Sequence, residues 1–111
     1  MPKTITKEEL KARIDRGDDF RLAMALNEWH FEAARIPGSI LIQDKQAALS
    51  KLRPEEEIVV YCSDDSCFSS KRAVDWLERE GYRNVWHYRG GLREWTAAGY
   101  PLEGSAANSS A

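Results

Sequence analysis

Histidine and cysteine are scarce in these 111 residues, at two of each: His30, His87, Cys62 and Cys67. Scattered in this way they offer no zinc-ligand spacing, so no metal or other cofactor is expected. Two cysteines with four residues between them would close too small a loop to staple a domain. Long apolar runs are missing too. The longest, such as Ile58–Val59–Val60–Tyr61–Cys62, is far too short to cross a bilayer, and no membrane partner is expected. An excess of positive charge is also lacking, with sixteen Lys and Arg against eighteen Asp and Glu, a formal charge of −2. Without a basic stripe, nucleic acid is a poor first candidate for a partner. The opening Met1-Pro2-Lys3-Thr4 lacks the apolar segment of a secretion signal, which leads to an expectation of the cytoplasm.

What is present suffices for one folded unit. Hydrophobic residues make up 42% and charged residues 31%, a balance that builds a single soluble core rather than a disordered chain. Thr6 and Glu9 have capping-box spacing, Ile5 and Leu10 that of a hydrophobic staple, and Gly17 supplies a stop, so the first helix lies between them. Phe20–Leu26 reads as a mostly buried strand, followed by a short helix around Trp29-His30-Phe31 and a turn at Ile36-Pro37-Gly38. Ser39–Ile42 is the next strand. Asp44 caps a helix carrying Ala48, Leu49 and Leu52. Glu57–Cys62 is apolar and β-branched without alternation, the pattern of a parallel strand covered on both faces. A helix from about Ser69 to Glu80 presents Ala73, Val74 and Leu77 inward. Asn84–Tyr88 is the last strand, and Gly90-Gly91 separates it from a helix through Trp95. Strands alternating with helices define an α/β domain over residues 1–103, with a small, polar, flexible tail at 104–111.

In open α/β sheets the ligand site lies beyond the carboxyl ends of the strands. Cys62 ends the most hydrophobic strand and is followed by a polar loop and a helix. Amides of the loop Ser63–Phe68 can curl around its sulfur while the following helix points its N-terminus at the same place. Such donors favour thiolate over thiol, lowering the thiol pKa from ~8.5 toward or below 7, as a nucleophilic cysteine requires.

Four motifs occur in order: Ile36-Pro37-Gly38-Ser39, Val59-Val60-Tyr61-Cys62, Gly81-Tyr82-x-Asn84-Val85, and Gly90-Gly91-Leu92-x-x-Trp95-x-x-Ala98-Gly99-x-Pro101. Together they resemble a single-domain rhodanese, a sulfurtransferase, over about Thr4 to Leu102. The resemblance implies a central, largely parallel five-stranded sheet flanked by helices on both faces. It also implies a reaction carried by Cys62, which takes the outer sulfur of a donor such as thiosulfate as a persulfide and passes it to cyanide or a thiol. The implied site is Cys62 with the loop Ser63, Asp64, Asp65, Ser66, Cys67, Phe68 and Ser69. The implied partners are a small sulfur donor or a persulfide-carrying protein, and a thiol acceptor. The expected assembly is a monomer or weak dimer.

The chain departs from the commonest pattern of that family at several positions. Met24-Ala25-Leu26 stands where Asp-x-Arg is frequent, and Arg35 where His often precedes Ile-Pro-Gly. The loop lacks arginine and resembles that of a subgroup with a second cysteine five positions after the first. Cys67 has three readings: a buried small residue at the helix start, a resolving thiol that converts the Cys62 persulfide or sulfenate to a disulfide, or the nucleophile itself. Asp64 and Asp65 oppose an anion. A carboxylate at ~6 Å costs about 0.7 kcal/mol at solvent dielectric and several-fold more where water is excluded. Lys71 and Arg72 compensate if they fold back over the loop and otherwise form a solvated first turn; Arg89 is a weaker candidate to reach the pocket. Thiosulfate is therefore expected to be a poor donor with a high KM. A related phosphatase or arsenate reductase would use Cys-x5-Arg, but the sixth residue after Cys62 is Phe68, which removes the bidentate clamp on a phosphoryl group. A non-catalytic binding module, or an oxidant sensor built on Cys62 and Cys67, remains the alternative.

Overall fold

The computed structural model describes residues 3–63 and 68–105. Its strands are β1 (Lys3–Thr4), β2 (Arg21–Met24), β3 (Ser39–Leu41), β4 (Glu57–Tyr61) and β5 (Asn84–Tyr88). Its helices are α1 (Lys7–Arg16), α2 (Glu28–Ala33), α3 (Lys45–Lys51), α4 (Phe68–Arg79) and α5 (Gly91–Ala97). The five strands form one sheet in the order β1-β5-β4-β2-β3, and every neighbouring pair is parallel.

Local signals account for most of the boundaries. Thr6 Oγ1 accepts from the Glu9 amide and Glu9 Oε1 from the Thr6 amide, a complete capping box. Gly17 closes α1 at φ +73°, a left-handed value that glycine adopts without steric cost. Asn27 caps α2 and Asp44 caps α3 through their side-chain oxygens. β1 is the one strand with no hydrophobic signature, because it is two exposed residues held to β5 by register alone.

β4 occupies the middle of the sheet, and its residues Ile58 to Tyr61 are fully buried. Alternation sends Ile58 and Val60 to a cluster with Ala73, Val74 and Leu77 of α4 and Ala48 of α3. Val59 and Tyr61 go to the opposite cluster, with Leu10 of α1, Trp95 of α5 and the partly buried Phe31 of α2. Helices thus cover both faces, which is why β4 carries no charged residue after Glu57 at its start. Leu49, expected with Ala48 and Leu52, is instead 41% exposed, since a seven-residue helix presents only a narrow stripe inward. Trp29 is 72% exposed and meets His30 edge-on.

After α5 the chain returns to the end of α2 and the segment leading to β3. Arg35 and Glu103 exchange backbone hydrogen bonds of 2.8 Å, and the Ser105 amide donates to the Glu32 carbonyl at 2.9 Å. The remainder of the expected tail, 106–111, lies outside the described residues. No described helix is long and apolar enough to cross a membrane.

Candidate active site

Cys62 follows β4 directly at the carboxyl edge of the sheet, between β2 and β5. Backbone bonds hold it on the side of α5. The Leu92 amide donates to the Cys62 carbonyl at 2.9 Å, and the Arg93 amide donates to the Ser63 carbonyl at 2.8 Å. These are two of the amides that the first turn of a helix leaves unpaired. Gly91 makes the geometry attainable: with φ +65° it turns the chain from β5 into α5. A Cβ on Gly90 would strike the folded-back Glu94 side chain at 2.2 Å, and Glu94 accepts from the Tyr88 hydroxyl at 3.0 Å. Burial first, then this carboxylate, raises the Tyr88 phenol far above its ordinary range.

Tyr61, adjacent to Cys62, closes a ring of hydrogen bonds with a distant turn. The Ile36 amide donates to the Tyr61 hydroxyl at 3.0 Å, which lies 2.7 Å from Ser39 Oγ; Ser39 donates to the Ile36 carbonyl at 2.6 Å. With Ser39 donating to the carbonyl, the phenol is left to donate to Ser39. Burial is the main reason its pKa is pushed up to about 12, so it stays a neutral donor. Two of the motifs singled out in the sequence, Ile36–Ser39 and Val59–Cys62, therefore meet physically at this phenol.

The Cys62 side chain is 1% exposed, 4.0 Å from Ser63 Oγ, and disulfide-bonded, its partner lying outside the described residues. Of the expected loop, Asp64, Asp65, Ser66 and Cys67 also lie outside the described residues, and the ring of amides expected there with them. Phe68 begins α4 and is 72% exposed, and Ser69 is exposed beside it. Lys71, Arg72, Arg89 and Arg93 are all exposed and make no ion pair among the described residues. Arg72 lines a cleft of about 370 Å³ with Ser69, Trp76, Ala25, Asn27 and Gln43, which opens beside the first turn of α4.

Two further groups escaped the sequence reading. The amides of Leu92 and Arg93 carry no side-chain signature; Gly90-Gly91 ahead of a helix is their only trace. Ser70, inside α4, is buried and lies 2.8 Å from His87 Nε2. His30, by contrast, belongs to the cap of α2, with its amide and Nδ1 both against Asn27 Oδ1. Among the described residues no group of three His, Cys, Asp or Glu side chains converges.

An all-parallel five-stranded sheet with a cysteine at the end of its central strand defines the class, and comparison with known proteins names it. Residues 6–98 match the rhodanese-like domain, and the chain belongs to that family. It is 32% identical over 104 residues to the HTH-type transcriptional regulator Rv0324 of Mycobacterium tuberculosis, an alignment covering 92% of this chain and 45% of the regulator. It is 31% identical over 107 residues to thiosulfate sulfurtransferase/rhodanese-like domain-containing protein 3 of Mus musculus, covering 85% of this chain and 68% of that one. The solution structure of the rhodanese-like domain of Alr3790 from Anabaena sp. superposes with a TM-score of 0.84 at 26% identity, over 96% of this chain and 82% of that domain. The chain thus spans less than half of the regulator and about two thirds of the mouse protein.

Proposed function

We propose that the protein is a sulfurtransferase in which Cys62 carries sulfane sulfur as a persulfide. The observation that carries this reading is the placement of Cys62, at the carboxyl end of the central strand, with its carbonyl held by α5, at the approach to α4. A disulfide-bonded sulfur is not a nucleophile, so a thiol reductant first opens the bond by thiol–disulfide exchange, supplying two electrons and leaving as its own disulfide. The Cys62 thiolate then attacks the outer sulfur of a donor such as thiosulfate. A bond forms between the two sulfurs, the donor's own sulfur–sulfur bond breaks, and sulfite leaves with the electron pair. An acceptor thiolate next attacks the outer sulfur of the persulfide and regenerates the Cys62 thiolate. Exposed cations at Lys71, Arg72 and Arg89 favour an anionic donor, while Asp64 and Asp65 oppose it, so thiosulfate serves with a high KM. The donor is a small sulfur compound or a persulfide-carrying protein. The acceptor is a thiol in the cytoplasm, where thiols are kept reduced.

Intact mass tests this directly. Reduced protein incubated with thiosulfate gains about 32 Da, one sulfur atom bound covalently to the nucleophile, and Cys62→Ser does not. An adduct that survives Cys62→Ser, or no adduct with any sulfane donor, overturns the reading. The disulfide-bonded state of Cys62 favours one second reading, an oxidant-sensing module, which agrees with the match to part of a transcriptional regulator. In that case mild peroxide takes two hydrogen atoms, two protons with two electrons, from the reduced protein and is itself reduced to water, a change that requires both Cys62 and Cys67.

A further inference from the structure

Ser70 and His87 are the two polar residues among the described buried ones, at 2% and 8% exposure, and they are bonded to each other. Hydrophobic packing does not call for them. On α4 Ser70 is three and four residues from Ala73 and Val74, and on β5 His87 is two from Val85, and all three of these residues belong to one apolar cluster. A buried neutral hydrogen bond returns little net stability once the desolvation of both groups is counted. What the pair does is connect two elements. Ser70 is the third residue of α4, the helix that follows the Cys62 loop. His87 lies in β5 in register with Val60 of β4, two residues before Cys62. The start of the loop is already fixed by α5, through the Cys62 and Ser63 carbonyls. The Ser70–His87 bond fixes the element at its other end.

We propose that His87, acting through Ser70, is a positioning residue of the Cys62 site: the pair sets how the first turn of α4 sits against the sheet, and so how strongly the positive end of that helix acts on the sulfur. At neutral pH the ring is uncharged. Burial foremost, then Arg89 just past the end of β5, keep His87 below its ordinary pKa; Asp75 on α4 pulls the other way, and Lys71 on α4 adds the smallest lowering effect. Asp75, Lys71 and Arg89 are the charged groups that act on it. A neutral ring bonds the Ser70 hydroxyl in either tautomer.

The inference rests on Cys62 being the reacting thiol, and its test does not need sulfur transfer to work. In a reduced Cys67→Ser background, the rate of Cys62 alkylation by iodoacetamide is followed from pH 5 to 10, which reports the thiolate fraction. Ser70→Ala and His87→Phe each lower the rate at neutral pH about two- to fivefold and shift the profile to higher pH, the scale of a helix-end interaction on a nearby charge. The double variant falls no further than either single one. His87→Gln, whose amide can still bond Ser70, recovers most of the loss. Val74→Ala, a cavity in the same helix, lowers the melting temperature without moving the profile. If Ser70→Ala and His87→Phe lower only the melting temperature and leave the profile where it was, the pair is mere packing and the proposal fails. Should His87→Phe not fold, Ser70→Ala decides alone. Absence of a sulfur adduct with an intact alkylation shift would defeat the proposed function while leaving this inference standing.

Discussion

At the amino ends of the strands, charge is paired. Arg13 meets Glu57 and, at 3.5 Å, Asp18; Arg16 holds Asp18 at 2.6 Å, and Arg21 lies 3.9 Å from Glu56. At the carboxyl ends the neighbourhood of Cys62 is held by neutral bonds, from the Tyr61 ring and the two α5 amides, and its cations are left without carboxylate partners among the described residues. The amino ends therefore employ these charges in pairs, and the surroundings of Cys62 are held together by neutral bonds while the cations nearest it stay unpaired among the described residues. An anion arriving at the carboxyl end does not first have to break an ion pair, which is the condition under which exposed cations attract a ligand rather than each other's counterions.

Substitutions at the two ends should therefore read out differently. Tyr61→Phe leaves the buried Ile36 amide without its acceptor and should cost about 2–3 kcal/mol in chemical denaturation; a loss no greater than that of a surface substitution would break the comparison. Arg13→Ala removes a partly buried pair and should cost about 1–2 kcal/mol, discounted for the exposure of Glu57, with sulfur uptake by Cys62 unchanged. The reverse pattern is expected for Arg72→Gln combined with Arg89→Gln: uptake from thiosulfate slows about fivefold, less so at high salt, while the melting temperature stays put. The smallest effect is on pH. The folded His87 binds a proton less readily than the unfolded one, so its contribution is complete above the unfolded value of 6.5 and is lost as pH falls below it. Denaturation midpoints should decline from pH 7 to 5, and His87→Gln should flatten that decline.

Much of the scaffold was legible because its signals are local. The Thr6–Glu9 box, the Asp44 cap and the β4 run each specify a few neighbouring residues, and the structure has all of them. β1 was invisible because Lys3 and Thr4 are exposed and owe their strand geometry to β5, more than eighty residues away. At the site, Cys62 stood out by its position after a buried strand. The α5 amides and the Ser70–His87 bond did not, since a backbone donor has no side chain to read and a serine inside a helix usually faces water. The Tyr61 ring was half legible: both motifs were visible in the sequence, but not that one phenol joins them.

The dependence of the Cys62 carbonyl on amides thirty positions downstream has a practical consequence for anyone trimming the chain. A fragment ending before residue 90 would retain the cysteine, its strand and the helix behind it, and would look complete by motif. It would nevertheless expose the Cys62 and Ser63 carbonyls to solvent and free the Cys62 peptide to rotate. Minimal versions of this domain must keep the final helix, even though it contributes no reacting atom.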